Sequence, residues 1–353
     1  MTGAVILAAG LSSRMGMCKS LLPLGSRQMI YITAQRLLEG GADTLTVVTG
    51  NQSHAVQQAL AGLPARFVYN DAYTETDMFV SVCLGLRAEM ESDQILILPA
   101  DVPMFSPQLI DGLLEKMRNE GVQAVWPSVH GKNGHPLLLR ADAVPAVLQY
   151  RGEKGLKGAL SQLLTAQYAA EDEGCLLDAD TVQDYQKIVV YRGSCPPTEA
   201  EIQMLHQHFA SNDRIRAHCE AVERKSMELA DQVKHVKLDR ALLSAAARLH
   251  DAARVRPHHA AVIAQALLEM GYSKTAEIVS THMELLPSQM GTLSEATILY
   301  LADKMVQGTA SVTLEERFGA AAKKYQGNDR ACQAAAMRYQ AAKSIWNRIY
   351  EVS

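Results

Sequence analysis

The sequence has no long apolar stretch, no basic N-terminal segment and no excess of positive charge. Its longest apolar run, AVILAAGL at residues 4–11, is far shorter than the roughly 20 residues of a membrane-spanning helix. No basic segment precedes that run, which argues against a secretory signal, and we expect a buried first strand there. A formal net charge of −4 provides no global positive field for nucleic acid. We therefore predict a cytoplasmic protein that binds neither membranes nor nucleic acid.

The cysteines are scattered and form no CxxC pair. Disulfide frameworks and zinc knuckles depend on particular cysteine spacings, so this pattern favours reduced thiols in a reducing compartment. The six cysteines are Cys18, Cys83, Cys175, Cys195, Cys219 and Cys332.

The length and the composition indicate two ordinary globular domains. A chain of 353 residues is too long for one ordinary core. Apolar residues make up 48% and charged residues 20% of the chain, which is a globular balance. Eight of the eleven histidines fall after residue 200, a first sign that the two halves carry different chemistry.

The first half alternates short apolar runs with segments of helical length. Alternation of this kind predicts an α/β domain with a mostly parallel sheet and helices on both faces. The predicted strands are 4–10, 44–50, 66–70, 94–101 and 124–129, and the predicted helices are 28–41, 54–63, 78–90 and 106–121.

The pattern changes at SCPPT, residues 194–198, a proline-containing stretch typical of a linker. After it no strand pattern remains and helix follows helix. We therefore predict an α/β domain over residues 1–193 and an all-α domain over residues 194–353. The predicted helices of the second domain are 199–209, 213–233, 239–253, 258–271, 273–283, 293–308, 314–327 and 331–352.

A glycine-containing loop, LAAGLSSRMGMCK from Leu7 to Lys19, follows the first predicted strand. Gly10 and Gly16 allow backbone N–H groups to approach phosphate oxygens. Arg14 and Lys19 supply positive charge where negative charge shifts to a leaving pyrophosphate. A plain glycine-rich turn with solvated basic residues is the alternative. Neither a Walker loop nor GxGxxG occurs in it, which disfavours P-loop and dinucleotide-binding folds.

This loop resembles the signature LAAGxSxRMGxxK of the nucleotidyltransferases that act on molybdenum cofactor. The resemblance covers residues 3–190 and continues at LLPLG, NDAYTETDMFVSV, PADVP, NGHP and DADTVQDY. It implies a Rossmann-like fold, an NTP substrate and Mg2+. The nucleotide-binding residues that it implies are Leu7, Ala8, Ala9, Gly10, Arg14, Met15, Gly16, Lys19 and Asp101, with Arg14, Lys19 and Asp101 in catalytic roles.

Two carboxylates are candidate Mg2+ ligands. Asp101 follows the predicted strand QILILP, and open α/β sheets bind ligands at the carboxyl ends of their strands. A carboxylate there can hold Mg2+ against a triphosphate, and Ser106 is better placed to cap the next helix. The resemblance makes Asp180 the second metal ligand. Capping the helix at 182–190 is an equal alternative for Asp180, and Asp178 is a competitor as ligand.

Two departures from the family pattern concern the metal position and the acceptor side. Ala100 replaces the usual glycine before Asp101. GEKGLK at residues 152–157 stands where the family has a segment like Gly-Asp-x-Gly-Ala-Arg, and only the signs of the two charges are kept there, by Glu153 and Lys157. NGHP and MFVSV resemble the cytidylyltransferase branch. The implied reaction is transfer of CMP from CTP to molybdopterin with release of pyrophosphate, and a molybdoenzyme apoprotein is an implied further partner. GTP, or a sugar or alditol phosphate acceptor, is the alternative.

The second half contains an ordered set of histidines and aspartates on predicted helices. His218 lies on one helix, His250 and Asp251 on the next, and Asp303 on a later one. Such a set is a mixed nitrogen and oxygen site suited to Mn, Fe, Co, Ni, Mg or Zn, and it can activate water for attack on phosphorus. A packed core histidine at position 218 is the alternative.

This half resembles the HD phosphohydrolase superfamily over residues 200–310. The resemblance implies a divalent metal on the His218, His250, Asp251 and Asp303 set. His282 and His259 stand where two-metal members carry further ligands, although a surface position is the alternative for His259 and its neighbour His258. Arg254 replaces a frequent lysine, which keeps the charge and changes the geometry. A phosphohydrolase whose first domain only senses nucleotide is a further alternative.

Overall fold

The chain divides into two units, Met1–Arg192 and Gly193–Ser353. The computed structural model describes residues 1–10, 18–75, 77–286, 288–324 and 327–350. Among the described helices, none combines the length and the apolar composition that crossing a membrane requires.

Short strands and helices alternate in the first unit. Its described strands are β1 (Thr2–Ala8), β2 (Pro23–Leu24), β3 (Arg27–Gln28), β4 (Thr44–Thr49), β5 (Ala65–Tyr69), β6 (Gln94–Pro99), β7 (Ala124–Val129), β8 (Lys132–Asn133), β9 (Leu137–Arg140) and β10 (Thr165–Ala169). The helices that begin in it are α1 (Met29–Glu39), α2 (Ser53–Ala59), α3 (Met78–Ala88), α4 (Gln108–Glu120), α5 (Val144–Gln149), α6 (Gly155–Leu160) and α7 (Val182–Ser194).

One mostly parallel sheet forms the centre of the first unit. In the described part of the chain its strand order is β10-β7-β9-β6-β1-β4-β5, with β8 beside β7. β1 lies between β4 and β6 and is parallel to both, so the carboxyl ends of these strands share one edge. The predicted mostly parallel α/β fold is confirmed. β9 is an antiparallel insertion between β6 and β7, which the strand–helix alternation did not reveal because no helix precedes it.

Helices cover both faces of the sheet because alternate side chains of a strand point to opposite sides. Ile6 of β1 belongs to one apolar core, together with Ile30 of α1 and Ile110 of α4. Val5, its neighbour, belongs to the other core, together with Val82 of α3. This packing fixes β1 and the point at which the chain leaves the sheet after Ala8.

Two strands end earlier than predicted, and the difference bears on the site. β1 ends at Ala8 rather than at residue 10, and β6 ends at Pro99 rather than at residue 101. Ala9, Gly10 and Asp101 consequently lie in the connections beyond the sheet edge, where backbone and side chains are free to face a ligand.

The described part of the second unit is helical, as predicted, apart from one short hairpin. Gly308, at φ 63°, occupies the turn of that hairpin, a conformation that glycine adopts without strain. The described helices are α8 (Glu199–His208), α9 (Asp213–Gln232), α10 (Arg240–Leu249), α11 (His259–Glu269), α12 (Ser273–Ser280), α13 (Glu295–Lys304), α14 (Leu314–Lys324) and α15 (Asp329–Tyr350), and the hairpin strands are β11 (Val306–Gln307) and β12 (Ala310–Ser311).

Candidate functional sites

Lys19 and two aspartates meet at the carboxyl edge of the sheet in the first unit. Lys19 begins a short 3-10 turn, Lys19–Leu21, after the loop that follows β1. Its Nζ donates to Asp180 Oδ1 at 2.6 Å and lies 3.8 Å from Asp101 Oδ2. The fold therefore brings together three predicted site residues that are far apart in the sequence.

The segment that carries Asp180 is held against Asp101 through the backbone. The Ala179 N–H donates to the Asp101 carbonyl oxygen at 3.2 Å. Thr181 caps α7, since its Oγ1 accepts from the Asp184 N–H at 3.2 Å. The capping role considered for Asp180 thus belongs to its neighbour, and the Asp180 carboxylate pairs with a lysine instead.

Negative charge is in excess around Lys19. Burial raises the pKa of the Asp101 carboxyl, Lys19 opposes that shift, and the nearby Asp178 and Asp180 add to it. Burial and then Asp180 likewise raise the pKa of Asp178. A divalent cation would relieve this repulsion, and Mg2+ in nucleotide sites is typically held by one or two carboxylates with phosphates and water. The residues present therefore fit Mg2+.

The start of the predicted phosphate loop lines the same cleft. Buried Asn70, whose Nδ2 donates to Ser81 Oγ at 3.1 Å, connects the end of β5 to α3 on the facing side. Arg14, Met15 and Gly16 lie outside the described residues. The predicted nucleotide-binding residues that line the cleft are Leu7, Ala8, Ala9, Gly10, Lys19 and Asp101.

A second, more apolar cavity adjoins this cleft through Leu7 and Pro99, which line both. Trp126 and His135 line it, and so do Glu153 and Lys157, the two residues that keep the charge signs of the family's acceptor segment. Burial lowers the pKa of His135 to about 4, so the imidazole is neutral at pH 7. Its buried Nδ1 has no hydrogen-bond partner in the described part of the chain.

The four predicted metal ligands of the second unit converge. His218 lies on α9 and Asp303 on α13. The Asp303 Oδ1 is 3.4 Å from His218 Nε2 and 3.7 Å from His250 Nε2. The prediction that a single helix carries both His250 and Asp251 is wrong, because α10 ends at Leu249 and the pair follows in the turn. That turn directs both side chains toward the same centre.

Three imidazoles of this cluster share the same tautomer. Each ring donates from Nδ1 to a backbone carbonyl, and because a carbonyl can only accept, the Nδ1 atom carries the proton. The Nε2 lone pair then faces the aspartates, an arrangement that orients metal-binding histidines. The donors His218, His250 and His282 pair with the carbonyl oxygens of Gly308, Ala247 and Val279, each at 2.7 Å.

Asp251 lies between two pairs of histidines. Its Oδ2 is 3.8 Å from the Nε2 atoms of both His218 and His250. Its Oδ1 is 3.0 Å from His259 Nε2 and 3.5 Å from His282 Nε2. One carboxylate is thereby placed to contact two neighbouring cations, one through each oxygen.

His259 is part of this cluster, and the surface position considered for it is not found. Its side chain is 14% exposed and contacts Asp251, whereas His258 is exposed. His259 is the first residue of α11, which directs its ring inward. Sequence spacing alone could not separate these two adjacent histidines.

The ionised carboxylate of Asp251, the lowered pKa of His282 and one unpaired nitrogen fit a divalent metal. Burial alone would raise the pKa of the Asp251 carboxyl, but its contacts with His259 and His282 hold that pKa below its ordinary value. Burial lowers the pKa of His282. His250 is fully buried, and its Nε2 has no hydrogen-bond partner among the described residues. An unpaired buried nitrogen carries an energetic penalty, which coordination to a metal removes.

Two basic side chains border the aspartates. Arg254 Nη1 donates to Asp251 Oδ1 at 3.1 Å and lies 3.3 Å from His259 Nε2. Lys304 Nζ donates to Asp303 Oδ2 at 2.7 Å. Lys304 thus holds one oxygen of Asp303, while the other oxygen faces His218 and His250.

Some residues around this cluster carried no sequence signal. The Gly308 carbonyl, which orients His218, lies in a hairpin that the sequence did not predict. Arg317 on α14 and Arg338 on α15 line the cleft beside His218, Asp251 and Asp303. Neither arginine belongs to a motif. Their place beside the cluster depends on how α14 and α15 pack, which the sequence pattern does not reveal.

Both halves of the chain match known families. Residues 4–168 match the MobA-like NTP transferase domain, and residues 215–306 match the HD domain. Nicotine blue oxidoreductase from Paenarthrobacter nicotinovorans is 29% identical over 194 residues, covering 52% of this chain and 95% of that protein. The bifunctional protein GlmU from Francisella tularensis is 30% identical over 152 residues, 42% of this chain, which span about a third (32%) of that protein.

Solved structures resemble the first half. A nucleotidyl transferase from Methanothermobacter is 26% identical with a TM-score of 0.46, covering 53% of this chain and 95% of that one. Rv0371c from Mycobacterium tuberculosis is 23% identical with a TM-score of 0.46, covering 53% of this chain and 96% of that one. With both family matches in place, the chain joins a MobA-like NTP transferase domain to an HD domain and is an enzyme of the nucleotidyltransferase kind.

Proposed function

We propose that the first unit transfers CMP from CTP to molybdopterin and releases pyrophosphate. The observation that carries this proposal is the convergence of Lys19, Asp101 and Asp180 at the carboxyl edge of the sheet, in a cleft that Ala9 and Gly10 also line. An ammonium group and paired carboxylates at the carboxyl edge of a parallel sheet supply both positive charge and metal ligands for a triphosphate.

The reaction is an in-line displacement at the α-phosphorus of CTP. A phosphate oxygen of the acceptor forms the new bond, and the bond between that phosphorus and the pyrophosphate oxygen breaks, leaving its electron pair on pyrophosphate. Lys19 neutralises the charge that develops there. We propose Arg14 for a similar role by the family resemblance. Asp101 and Asp180 would hold Mg2+, which withdraws charge from the phosphate oxygens when bound.

The choice of base and acceptor rests on residues 133–136 and 78–82, which resemble the cytidylyltransferase branch. Met78 and His135 line the apolar cavity next to the cleft, together with Trp126. An aromatic wall close to Lys157 suits a planar, phosphorylated acceptor such as molybdopterin. GTP, or a sugar or alditol phosphate, remains the alternative pair of substrates for the same chemistry.

Pyrophosphate release from CTP in the presence of molybdopterin tests this proposal. Lys19→Ala should lower the rate at least tenfold, because a contact to developing charge contributes roughly 2–4 kcal/mol. Lys187→Ala is the matched control, since Lys187 is exposed on α7 and pairs with Asp184. Full turnover by the folded Lys19→Ala protein would show that Lys19 has no role in the site. Turnover of nicotine blue without pyrophosphate release would favour the activity in the name of the Paenarthrobacter relative.

We propose a second activity, metal-dependent phosphoester hydrolysis, for the second unit. The observation that favours it is the position of Asp251 between two pairs of imidazoles. His218, His250, Asp251 and Asp303 would hold one metal, and Asp251, His259 and His282 would hold a second one. A bound metal supplies a water of lowered pKa as the nucleophile. Arg254, next to Asp251, would place positive charge beside the phosphate oxygens.

Separate variants of the two units distinguish the proposed activities. Asp101→Asn should abolish pyrophosphate release and leave metal-dependent hydrolysis of p-nitrophenyl phosphate unchanged. Asp251→Asn should have the opposite effect. If Asp101→Asn retains every measured activity while CTP still binds, the first unit senses nucleotide rather than transferring it. If Asp251→Asn retains both metal and hydrolysis, the histidines are structural.

A further inference from the structure

The metal-ligand cluster of the second unit opens into a cleft whose outer wall comes from the last two described helices. His218, Asp251 and Asp303 line the cleft on one side. Arg317 of α14 and Arg338 of α15 also line it. Both helices begin after residue 306, where the match to the HD domain ends. This wall therefore lies outside the part of the chain that matches the HD domain.

Positive charge in the cleft exceeds what its own carboxylates balance. Of the basic side chains that line it, Arg254 pairs with Asp251 and Lys304 with Asp303. The guanidinium groups of the other three form no ion pair or hydrogen bond with any residue that the structure describes. These three are Arg214, Arg317 and Arg338. Two divalent metals would add further positive charge, which favours a ligand with several negative charges.

The same wall also has apolar surface. Phe318 lines the cleft next to Arg317, and its ring meets Tyr339 edge to face at 5.5 Å between centroids. Ile215 and Met283 line the cleft as well. A fixed aromatic side chain and aliphatic neighbours favour a ligand with an organic group rather than an inorganic anion.

We propose that this cleft binds an organic compound with at least two phosphate groups, of the nucleoside diphosphate class. One phosphate lies at the metal-ligand cluster, and Arg317 and Arg338 bind the second, because a guanidinium forms paired hydrogen bonds with phosphate oxygens. The proposal rests on the metal site proposed above for its first phosphate. α14 and α15 thereby determine which phosphoesters the HD core accepts.

Calorimetric binding to the full chain tests the subsite, with Lys19→Ala present throughout to weaken the nucleotide site of the first unit. The probes are AMP and α,β-methylene-ADP, with Mn2+ in excess. The chain should bind α,β-methylene-ADP more tightly than AMP. Arg317→Ala or Arg338→Ala should weaken α,β-methylene-ADP binding at least about tenfold and AMP binding less than about twofold. Arg348→Ala, an exposed arginine of α15 outside the cleft, should change neither.

Three results would overturn the proposal. Equal losses for AMP and α,β-methylene-ADP would show a general charge effect, and no loss in either arginine variant would show that no subsite exists. If methylenediphosphonate binds as tightly as α,β-methylene-ADP, the organic group contributes nothing to binding and that part of the proposal fails. Arg317→Lys should recover part of the affinity, which separates ligand contact from misfolding.

Failure of the metal site gives a different pattern. Asp303→Asn should lose bound Mn2+ and weaken AMP and α,β-methylene-ADP by similar factors. If the parent chain binds no metal but still prefers α,β-methylene-ADP through Arg317 and Arg338, the hydrolase proposal fails and the arginine subsite stands.

Discussion

His135 should make the first unit sensitive to mild acid. Its pKa is lowered by burial to about 4 in the folded chain, against about 6.5 for an unperturbed histidine. Below pH 6.5 the unfolded chain therefore binds a proton that the folded chain excludes. The stability that the neutral His135 side chain contributes is fully present above pH 6.5 and is lost as the pH falls toward 4. Between pH 7.5 and pH 5.0 this one group should lower the free energy of unfolding by about 2 kcal/mol.

Tryptophan fluorescence can isolate this effect. The chain has two tryptophans, and in a Trp346→Phe background Trp126 alone reports, from the cavity that His135 also lines. Urea unfolding at pH 7.5 and pH 5.0 gives the pH-dependent loss of stability. His135→Gln cannot be protonated in this range, so its loss should be about 2 kcal/mol smaller than that of the parent. His54→Gln, an exposed histidine of α2, is the control. Equal pH dependence in the parent and in His135→Gln would refute the reasoning.

Three further predictions concern the substrates and the two units. With CTP and GTP in competition, CTP should form product far faster, and equal use of GTP would contradict the cytidylyl assignment while leaving the transferase chemistry intact. Metal removal with EDTA should destabilise the second unit, by about 2.7 kcal/mol if the metal was present at 100 times its Kd. In Asp303→Asn, which keeps the side-chain shape, most of that metal-dependent difference should vanish. A fragment of residues 1–193 should remain folded and retain transferase activity, because the first unit has its own apolar cores. If this fragment is insoluble while the intact chain is soluble, the first unit does not fold independently of the second.

Much of the fold could be predicted because periodic patterns are local. Five strands of the sheet appear as apolar runs in the sequence, and each was predicted within two residues of its observed ends. The hairpin around Gly308 and the antiparallel β9 were not predicted. Two-residue strands and a four-residue strand are too short to show a period, and their pairing depends on partners elsewhere in the chain.

The motifs in the sequence indicate the residue types of both candidate sites. LAAG with Lys19, the aspartate after β6, and the order of His218, His250–Asp251 and Asp303 are all visible in the linear chain. These signals are local because phosphate loops and metal ligands need particular residue types at fixed places on an element.

Tertiary packing settles the choices that the linear pattern leaves open. Thr181 takes the cap of α7, and Asp180 pairs with Lys19. His259 contacts Asp251, and His258 is exposed. The arginines of α14 and α15 reach the HD cleft without any motif. Each of these outcomes depends on distances between elements remote in sequence, and burial and hydrogen-bond geometry fix those distances only when the elements have packed.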